Sequence, residues 1–577
     1  MALKNSHIII YLFFLANISF FHIEESNAQD QELNIDLLGQ KANRNFAKAD
    51  SILKHDNFIN AIIFFDKALE DYERIYGKEN KKLALVFQTI AELLSEDNHP
   101  DEAAKYGLKA LEILELQSEK DWGNIGKLNL SLGNIYKYQQ LNNVAIDYYE
   151  KALSAFSTIN SPAYDATFVE LQLALGNLYY ENRDFKGAIS YFQNANNFIN
   201  KNIGTELHHN VAIIYNNIGN AYLEADSLEL GLQNLHKSIG ITKEIFGDKV
   251  EDIAKTYTTL SMVHFGNFQY DSAIVYAKKA IEVYNSLSGN YDEIVLDYQL
   301  YLAKQFFWAQ SFETSSFWYE EYISKYFETT ENKLVTANLN FQVAKSFSDN
   351  YSFHHALNFY DKALILYQEY YQDDDVQLGN LTREIGLIFY KLGYFEKAEN
   401  YLNESVRIFE NADSVAENAL TDSYQVLGEV YAKENQHEKS NFYLLKTETA
   451  LTAENNRRAS VLNQLADNYY HLGQYDSALI FAQMEADFYL EVYEGIHIAM
   501  AESYILLGNI YAKKNDLERS IYYYENSPKY NKKIFMKESK LVLDANRFLA
   551  YIYAKNGDLG KSKLHAQLAL NIQRGIR

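Results

Sequence analysis

A repeat of about 42 residues constrains this 577-residue chain more than any other feature. The stretch IYNNIGNAY (214–222) crowds Asn216, Asn217 and Asn220 around Ile218, Gly219 and Tyr222, although asparagine is a mediocre helix former. Its Leu/Ile-Gly-x-x-Tyr core returns at 132–136, 175–179, 427–431 and 507–511. Twelve residues after each glycine stands a small residue: Ala145, Ala188, Gly231, Ser440, Ser520. Sixteen after stands a large one (Tyr149, Phe192, Leu235, Leu444, Tyr524), and nineteen after a small one (Ala152, Ala195, Ser238, Thr447, Ser527). The glycine register continues through Ala49, Ala91, Gly133, Gly176, Gly219, Ser261, Ala303, Ala344, Gly386, Gly428, Ala466, Gly508 and Ala550. These are thirteen units spaced by 41–43 residues, with one interval of 38 between Gly428 and Ala466. The units at Ala49 and Ala303 match least well. Such a period means stacked copies of one supersecondary unit, not several separate globular domains.

Within a unit the apolar residues recur at helical intervals. In 166–199, Leu171, Leu175 and Tyr179 form one stripe, and Ile189, Phe192 and Ala195 a second. The polar ENRDFKG between them is short enough to be the turn of an antiparallel pair. Gly176 and Ala188 let the two helices approach closely. A second class of turn, as in YGKENKK (76–82) and FGDKVED (246–252), joins units, with glycine placed to end a helix. Only three prolines occur and no Gly/Ser-rich linker interrupts the pattern, so one long all-α array is expected.

The Leu-Gly-x-x-Tyr first helix and the small–large–small second helix resemble the tetratricopeptide repeat (TPR) superfamily. A period near 42 is similar to the long repeats of kinesin light chain and of exported bacterial TPR proteins. The near-absence of proline after the second helix departs from the family pattern. The resemblance implies a right-handed superhelical solenoid of about 13 units. First helices would line a concave groove and second helices the outer wall, in a non-catalytic protein-interaction scaffold. The expected organisation is a signal peptide at 1–28, a linker at 29–41, an array of about ten units at 42–454, and three more units at 455–577. Four residues are about one helical turn, so a change of curvature is expected near 451–458.

Positions three before and one after the register glycine point together into such a groove. They are Asn216 and Asn220 in the opening stretch, preceded by Asn177 and Asn134 in the two units before. Lys127, Lys137, Glu170 and Tyr180 are nearby. An amide offers an acceptor and two donors, suited to the peptide groups of an extended ligand. In peptide-binding TPR domains asparagine at this register contacts the ligand backbone, so the resemblance implies a peptide-binding groove here. A solvated helix face carrying tolerated polar residues is the other reading. Asn217 receives no role. Later units place Met262, Lys304, Lys345, Leu387, Glu429, Asp467, Asn509 and Tyr551 one after the register, where Lys304 and Lys345 form a small cationic step.

A net charge of −24 repels phosphate backbones, which argues against nucleic acid and for a neutral or cationic protein partner. No cofactor or metal is expected. GDLGKSK (557–563) ends like a phosphate loop, but Lys555 stands where the first glycine is required, and the stretch falls on a hairpin turn. His208–His209 and His354–His355 are adjacent pairs, which diverge on a helix. QDDDVQ (372–377) lacks the glycine and final glutamate of a calcium loop. No Gly-x-Ser-x-Gly occurs, and without cysteine neither a thiol nucleophile nor a lipidated cysteine is available.

The two ends carry separate expectations. Lys4, the apolar run HIIIYLFFLANISFF and small residues at 26 and 28 read as a signal peptide cut after Ala28. The chain is then exported, periplasmic or secreted; an uncleaved N-terminal anchor is the alternative. No second run is long enough to span a bilayer. At the other end the array is expected to run to residue 576, leaving room for neither a capping helix nor a further domain. Leu564, Leu568 and Ile572 would face the core, leaving Ala566, Leu570 and Ala569 toward other sides, with homodimerisation through this end expected. Mass spectrometry of the N-terminus should find a chain beginning at Gln29. Intact Met1 in the membrane fraction would establish the anchor instead.

Overall fold

A computed structural model describes residues 28–54, 58–159, 161–202, 209–373, 375–412, 417–451, 456–493, 497–531 and 540–575. Among them are 26 α-helices, one 3-10 turn at Pro162–Tyr164 and no strand. The helices form consecutive antiparallel pairs. The first three hairpins are α1 (Ala28–Leu53) with α2 (Phe58–Tyr76), α3 (Lys81–Glu96) with α4 (Pro100–Leu116), and α5 (Trp122–Tyr138) with α6 (Asn142–Ile159). Next come α7 (Asp165–Glu181) with α8 (Phe185–Asn202), α9 (His209–Glu224) with α10 (Leu228–Phe246), and α11 (Glu251–Gly266) with α12 (Tyr270–Ser286). These six make one compact unit, Met1–Tyr291; the remaining seven make a second, Asp292–Arg577. The second begins with α13 (Asp292–Trp308) and α14 (Phe312–Thr330), α15 (Lys333–Asp349) and α16 (Phe353–Tyr370), then α17 (Val376–Lys391) and α18 (Phe395–Asn411). It continues with α19 (Glu417–Lys433) and α20 (His437–Ala450), and α21 (Asn456–His471) and α22 (Tyr475–Tyr493). It ends with α23 (Ile498–Lys513) and α24 (Leu517–Asn531), then α25 (Lys540–Lys555) and α26 (Leu559–Gly575).

The thirteen register positions all fall in odd-numbered helices, so the periodicity located every hairpin. Residues 29–41, expected as a linker, lie inside α1. Of the expected signal peptide at 1–28, residues 1–27 lie outside the described residues and Ala28 opens α1; residues 452–455 of the stretch where curvature was expected to change also lie outside them. The missing turn itself is visible, because α20 has 14 residues against 17 in α18 and 19 in α22. Among the described residues no helix is long and apolar enough to cross a membrane.

The glycine register marks the point where the two helices of a hairpin cross. A Cβ placed on Gly176 would stand 2.7 Å from Phe192 Cδ1; on Gly428, 2.6 Å from Leu444 Cγ; on Gly508, 2.7 Å from Tyr524 Cε1. Each neighbour is the large residue sixteen positions later, seated on the bare backbone of the first helix. Where the register residue has a side chain, the residue sixteen later is often small: Gly107 after Ala91, Ala277 after Ser261, Ala482 after Ala466 and Ala566 after Ala550. Ala49, Ala303 and Ala344 keep Phe65, Tyr319 and Tyr360, and the first two are the units whose sequence fits the repeat least.

Two further contacts depend on this close crossing. The small residue twelve after the register is often serine, whose hydroxyl donates to the register carbonyl: Ser440 to Gly428 (2.6 Å), Ser520 to Gly508 (2.9 Å), Ser562 to Ala550 (2.8 Å). The motif tyrosine stacks on an aromatic ring of the second helix, twelve positions on. Tyr136 lies over Tyr148 at 5.3 Å, Tyr431 over Tyr443 at 5.6 Å and Tyr511 over Tyr523 at 5.4 Å. Such pairs contribute about 0.5–1.5 kcal/mol each beyond their buried area.

The hairpin turn is equally regular. In the second to thirteenth hairpins the residue seven after the register is left-handed, with φ between 56° and 84°. Its neighbour's N–H returns to the motif aromatic's carbonyl, as from Tyr394 to Phe389 at 2.9 Å, which closes the first helix in a Schellman turn. Glycine supplies this conformation at 393, 473 and 557; Phe268 and Tyr351 adopt it despite a bulky side chain.

The final helix corrects an expectation. Ala569 is buried in α26, and Ser562, His565 and Ile572 are half-buried beside it, whereas Leu564 and Leu568 are exposed. The reason is the repeat register: positions twelve and nineteen after Ala550 face α25, and fourteen and eighteen point outward.

Gly176→Ala should cost about 1–3 kcal/mol, because the new methyl meets the Phe192 ring. In a Phe192→Ala background the same change should cost nothing, since the ring is gone. Chemical denaturation of the four variants measures the coupling, and additive costs would show that the ring does not dictate the glycine.

Candidate functional site

Successive first helices approach one another closely: α3 with α5 and α7 with α9 in the first unit, and α15 through α25 in the second. Second helices mostly do not, α14 and α16 apart. First helices therefore line the inner face of each unit, the face on which the candidate residues were placed.

The asparagines there form two hydrogen-bonded sets. Asn216 Nδ2 donates to Thr256 Oγ1 of α11 at 2.9 Å, and Asn220 Nδ2 donates to Asn216 Oδ1 at 3.1 Å. Asn217, given no role from sequence, donates to Asn177 Oδ1 of α7 at 3.3 Å. Three hairpins are thus linked through half-buried Asn216, Asn217 and Asn220, with Thr256 buried and Asn177 exposed, leaving the Asn177 amide nitrogen and the Asn220 carbonyl oxygen uncommitted among the described residues. Asn134 belongs to neither set. Its Oδ1 accepts the Tyr149 hydroxyl at 2.6 Å, and Asn509 does the same for Tyr524. A tyrosine at the crossing position occupies the amide; where Phe192 or Leu235 stands there instead, the amide is released. Lys127 and Lys137 are exposed without an ion pair among the described residues. Tyr180 is half-buried, edge-on to Phe185 at 5.6 Å, its phenol pushed up by burial and by Glu224.

The second unit carries a charged network on its first helices. Arg383 reaches Glu384 at 2.9 Å and Asp422 at 3.3 Å, and Arg457 reaches the same Asp422 at 2.6 Å. Arg457 also donates to Gln425 at 2.7 Å, which donates to Glu429 at 3.1 Å. Lys304 and Lys345 are exposed and make no ion pair among the described residues.

The discarded motifs have structural roles. In GDLGKSK, Gly557 takes the left-handed turn position and Asp558 caps α26 through the Lys561 N–H at 3.0 Å. Asp375 caps α17 through the Gln377 N–H at 2.8 Å, and Asp374 lies outside the described residues. His355 contacts Ser352 and Glu313, whereas His208 is outside the described residues. No cluster of three metal-ligating side chains occurs among the described residues.

Comparison with known families agrees with this architecture. A tetratricopeptide repeat model matches residues 45–115, 210–286 and 457–527, and a second so described matches 126–158 and 384–411. The chain belongs to the tetratricopeptide repeat superfamily. No curated protein matches the sequence. Among solved structures it is similar to BtubC from P. vanneervenii (17% identity, 43% of this chain and 91% of that one, TM-score 0.31). A putative kinesin light chain from Podosopora anserina with nearly identical TPR-like repeats is 18% identical over 35% of this chain and 98% of that one, with a TM-score of 0.31. The C-terminal part of a TPR repeat-containing protein from Cytophaga hutchinsonii is 15% identical over 48% and 95%, with a TM-score of 0.35.

One buried carboxylate escaped the sequence reading. Glu485 stands nineteen after Ala466, at the position that other units reserve for a small residue, and is 1% exposed. Asn463 of α21 donates to both its oxygens, at 3.1 and 2.9 Å, and Ser503 of α23 also faces it. Among the described residues no cation pairs with it, and Glu502 is a like charge beside it. Burial pushes its carboxyl up to about 7. The folded state therefore binds the proton more tightly than the unfolded chain. The resulting stability is complete below about pH 4.5 and lost as pH rises through about 7, up to about 3 kcal/mol. Glu485→Gln should match the wild type in stability near pH 5 and exceed it near pH 8. Equal pH dependence of the two in thermal melts would show that Glu485 ionises freely.

Proposed function

We propose that this chain is an exported, non-catalytic scaffold that binds an extended peptide or protein segment along the inner face of its first unit. Proteins of this repeat class are generally protein-interaction scaffolds without catalysis, and fold alone says no more. The observation that carries the finer reading is the pair of hydrogen-bonded amide sets across α7, α9 and α11. They sit on first helices with Asn177 exposed and Asn216 and Asn220 half-buried, are held in place by their own hydrogen bonds, and keep a donor and an acceptor of the kind a peptide main chain needs. Asn177 and Asn220 would read the main chain, Asn216 would hold Asn220 in place, and Lys127, Lys137 and Tyr180 would flank them; Asn134 contributes less because Tyr149 holds its carbonyl oxygen. The net charge of −24 favours a neutral or cationic segment. Export rests on the apolar run at 8–21 with small residues ahead of Gln29. A structural or assembly role through the outer wall or the C-terminal end is the second reading, favoured by the exposed leucines of α26.

Peptides selected from a random display library on residues 29–577 provide the test. Asn177→Ala with Asn220→Ala should weaken the selected peptides by about 1–3 kcal/mol in calorimetry, while changing stability by less than about 1 kcal/mol. Undiminished affinity in the double variant would return these amides to a solvated face.

A further inference from the structure

The outer wall varies along the array. Fourteen residues after the register, on the outward side of the second helix, hairpins two to five carry Lys105, Asp147, Ser190 and Gln233 and hairpins eight and nine carry Asn358 and Asn400, while Ile63 in the first hairpin and Val275 and Phe317 in the sixth and seventh are exposed apolar residues. The last four hairpins carry Phe442, Ile480, Tyr522 and Leu564, each between 55% and 59% exposed. Met484 and Leu568, one turn further along α22 and α26, widen the row and are also exposed. A lone exposed apolar side chain needs no explanation; the same register exposed on four consecutive helices marks an interaction surface.

The charges beside the row differ from helix to helix. Helix α22 carries four acids (Asp476, Glu485, Asp487, Glu491) and no base, and three of these acids are exposed. Helix α26 carries three bases (Lys561, Lys563, Arg574) and no acid, in a chain whose net charge is −24. Helix α24 stands between them, with Glu518 and Arg519 offsetting one another in its first turn.

We infer that a second copy of this chain covers the α22–α26 part of the wall, related by a twofold axis through α24, so that α26 of each copy lies over α22 of the other and Phe442 of α20 stands at the edge of the contact. This arrangement sets Leu564 and Leu568 against Ile480 and Met484, packs Tyr522 near its own copy, and places three bases over the exposed acids. An axis through α26 would oppose like charges. The contact is isologous, as in most homodimers: apolar burial supplies affinity, and the charges select the register. Leu570 is not part of it; it lies on the opposite flank of α26 from Leu568 and is better placed for the end face first considered from sequence. The inference is independent of the groove.

Sedimentation velocity on residues 29–577 should show a concentration-dependent dimer. Ile480→Glu with Leu564→Glu should raise its Kd by at least about tenfold, and circular dichroism should be unchanged because both positions are exposed. Lys561→Glu with Lys563→Glu should weaken it similarly. Adding Asp487→Lys and Glu491→Lys to that chain should restore the wild-type Kd, because the two reversed helices face each other across the axis. A monomer at high micromolar concentration, a dimer indifferent to the glutamates, or failure of the second reversal to restore it would each overturn the proposal.

Discussion

What is regular in this molecule depends on one constraint, the close crossing of the two helices of each hairpin, which six of the thirteen achieve by seating a second-helix side chain on the bare backbone of a first-helix glycine. Phe192 over Gly176 and Tyr524 over Gly508 leave no room for a Cβ. The close crossing that results brings the Ser520 hydroxyl within 2.9 Å of the Gly508 carbonyl and holds Tyr511 and Tyr523 5.4 Å apart, nearly parallel. It also gives the chain only a few residues in which to reverse, hence the left-handed residue seven positions after the register. These are packing and hydrogen-bond terms of about a kilocalorie each, and the array repeats them in hairpin after hairpin.

The same constraint divides the surface between structure and recognition. Side chains facing the crossing are committed to it, and the motif tyrosines stack within their own hairpins. What remains on the inner face is a band of polar residues that can satisfy one another or a ligand. Asn134 and Asn177 occupy the same register, yet one is held by a tyrosine hydroxyl and the other is not, because the crossing residue is Tyr149 in one hairpin and Phe192 in the next. The identity of a core residue thus decides the availability of a surface amide. On the outer wall, where neither crossing nor groove constrains the residue, side-chain character varies most freely along the array.

The shortened interval shows what happens when the repeat is broken. With the last turn of α20 missing, the junction between the tenth and eleventh hairpins is held by polar groups beside the apolar cluster of Leu444, Val461 and Leu465. Asn468, 1% exposed, donates to Ser440 at 2.7 Å and to Asn441 at 3.0 Å, and Arg458 reaches back to Glu448 at 2.7 Å. One hairpin on, Glu485 replaces a small residue in the core. Buried polar groups of this kind have directional requirements that apolar packing lacks, so they specify a single geometry where the regular register no longer does.

By itself the sequence determined the hairpin, the position of all thirteen copies and the turn between their helices. The physical reason is that helical periodicity and the alternation of small and large residues act within one unit, across at most about two dozen positions. It could not determine what depends on a neighbour some forty residues away. The partnership of Asn217 with Asn177, the like-charged neighbourhood of Glu485 and the sharing of Asp422 by Arg383 and Arg457 are all contacts between hairpins. The outward face of Leu564 and Leu568 was legible in principle from the register of the earlier units, but an apolar stripe read locally points to the core. Only the stacking of one hairpin on the next decides which of a helix's two apolar flanks is covered, because a helix buries the side on which a partner is present.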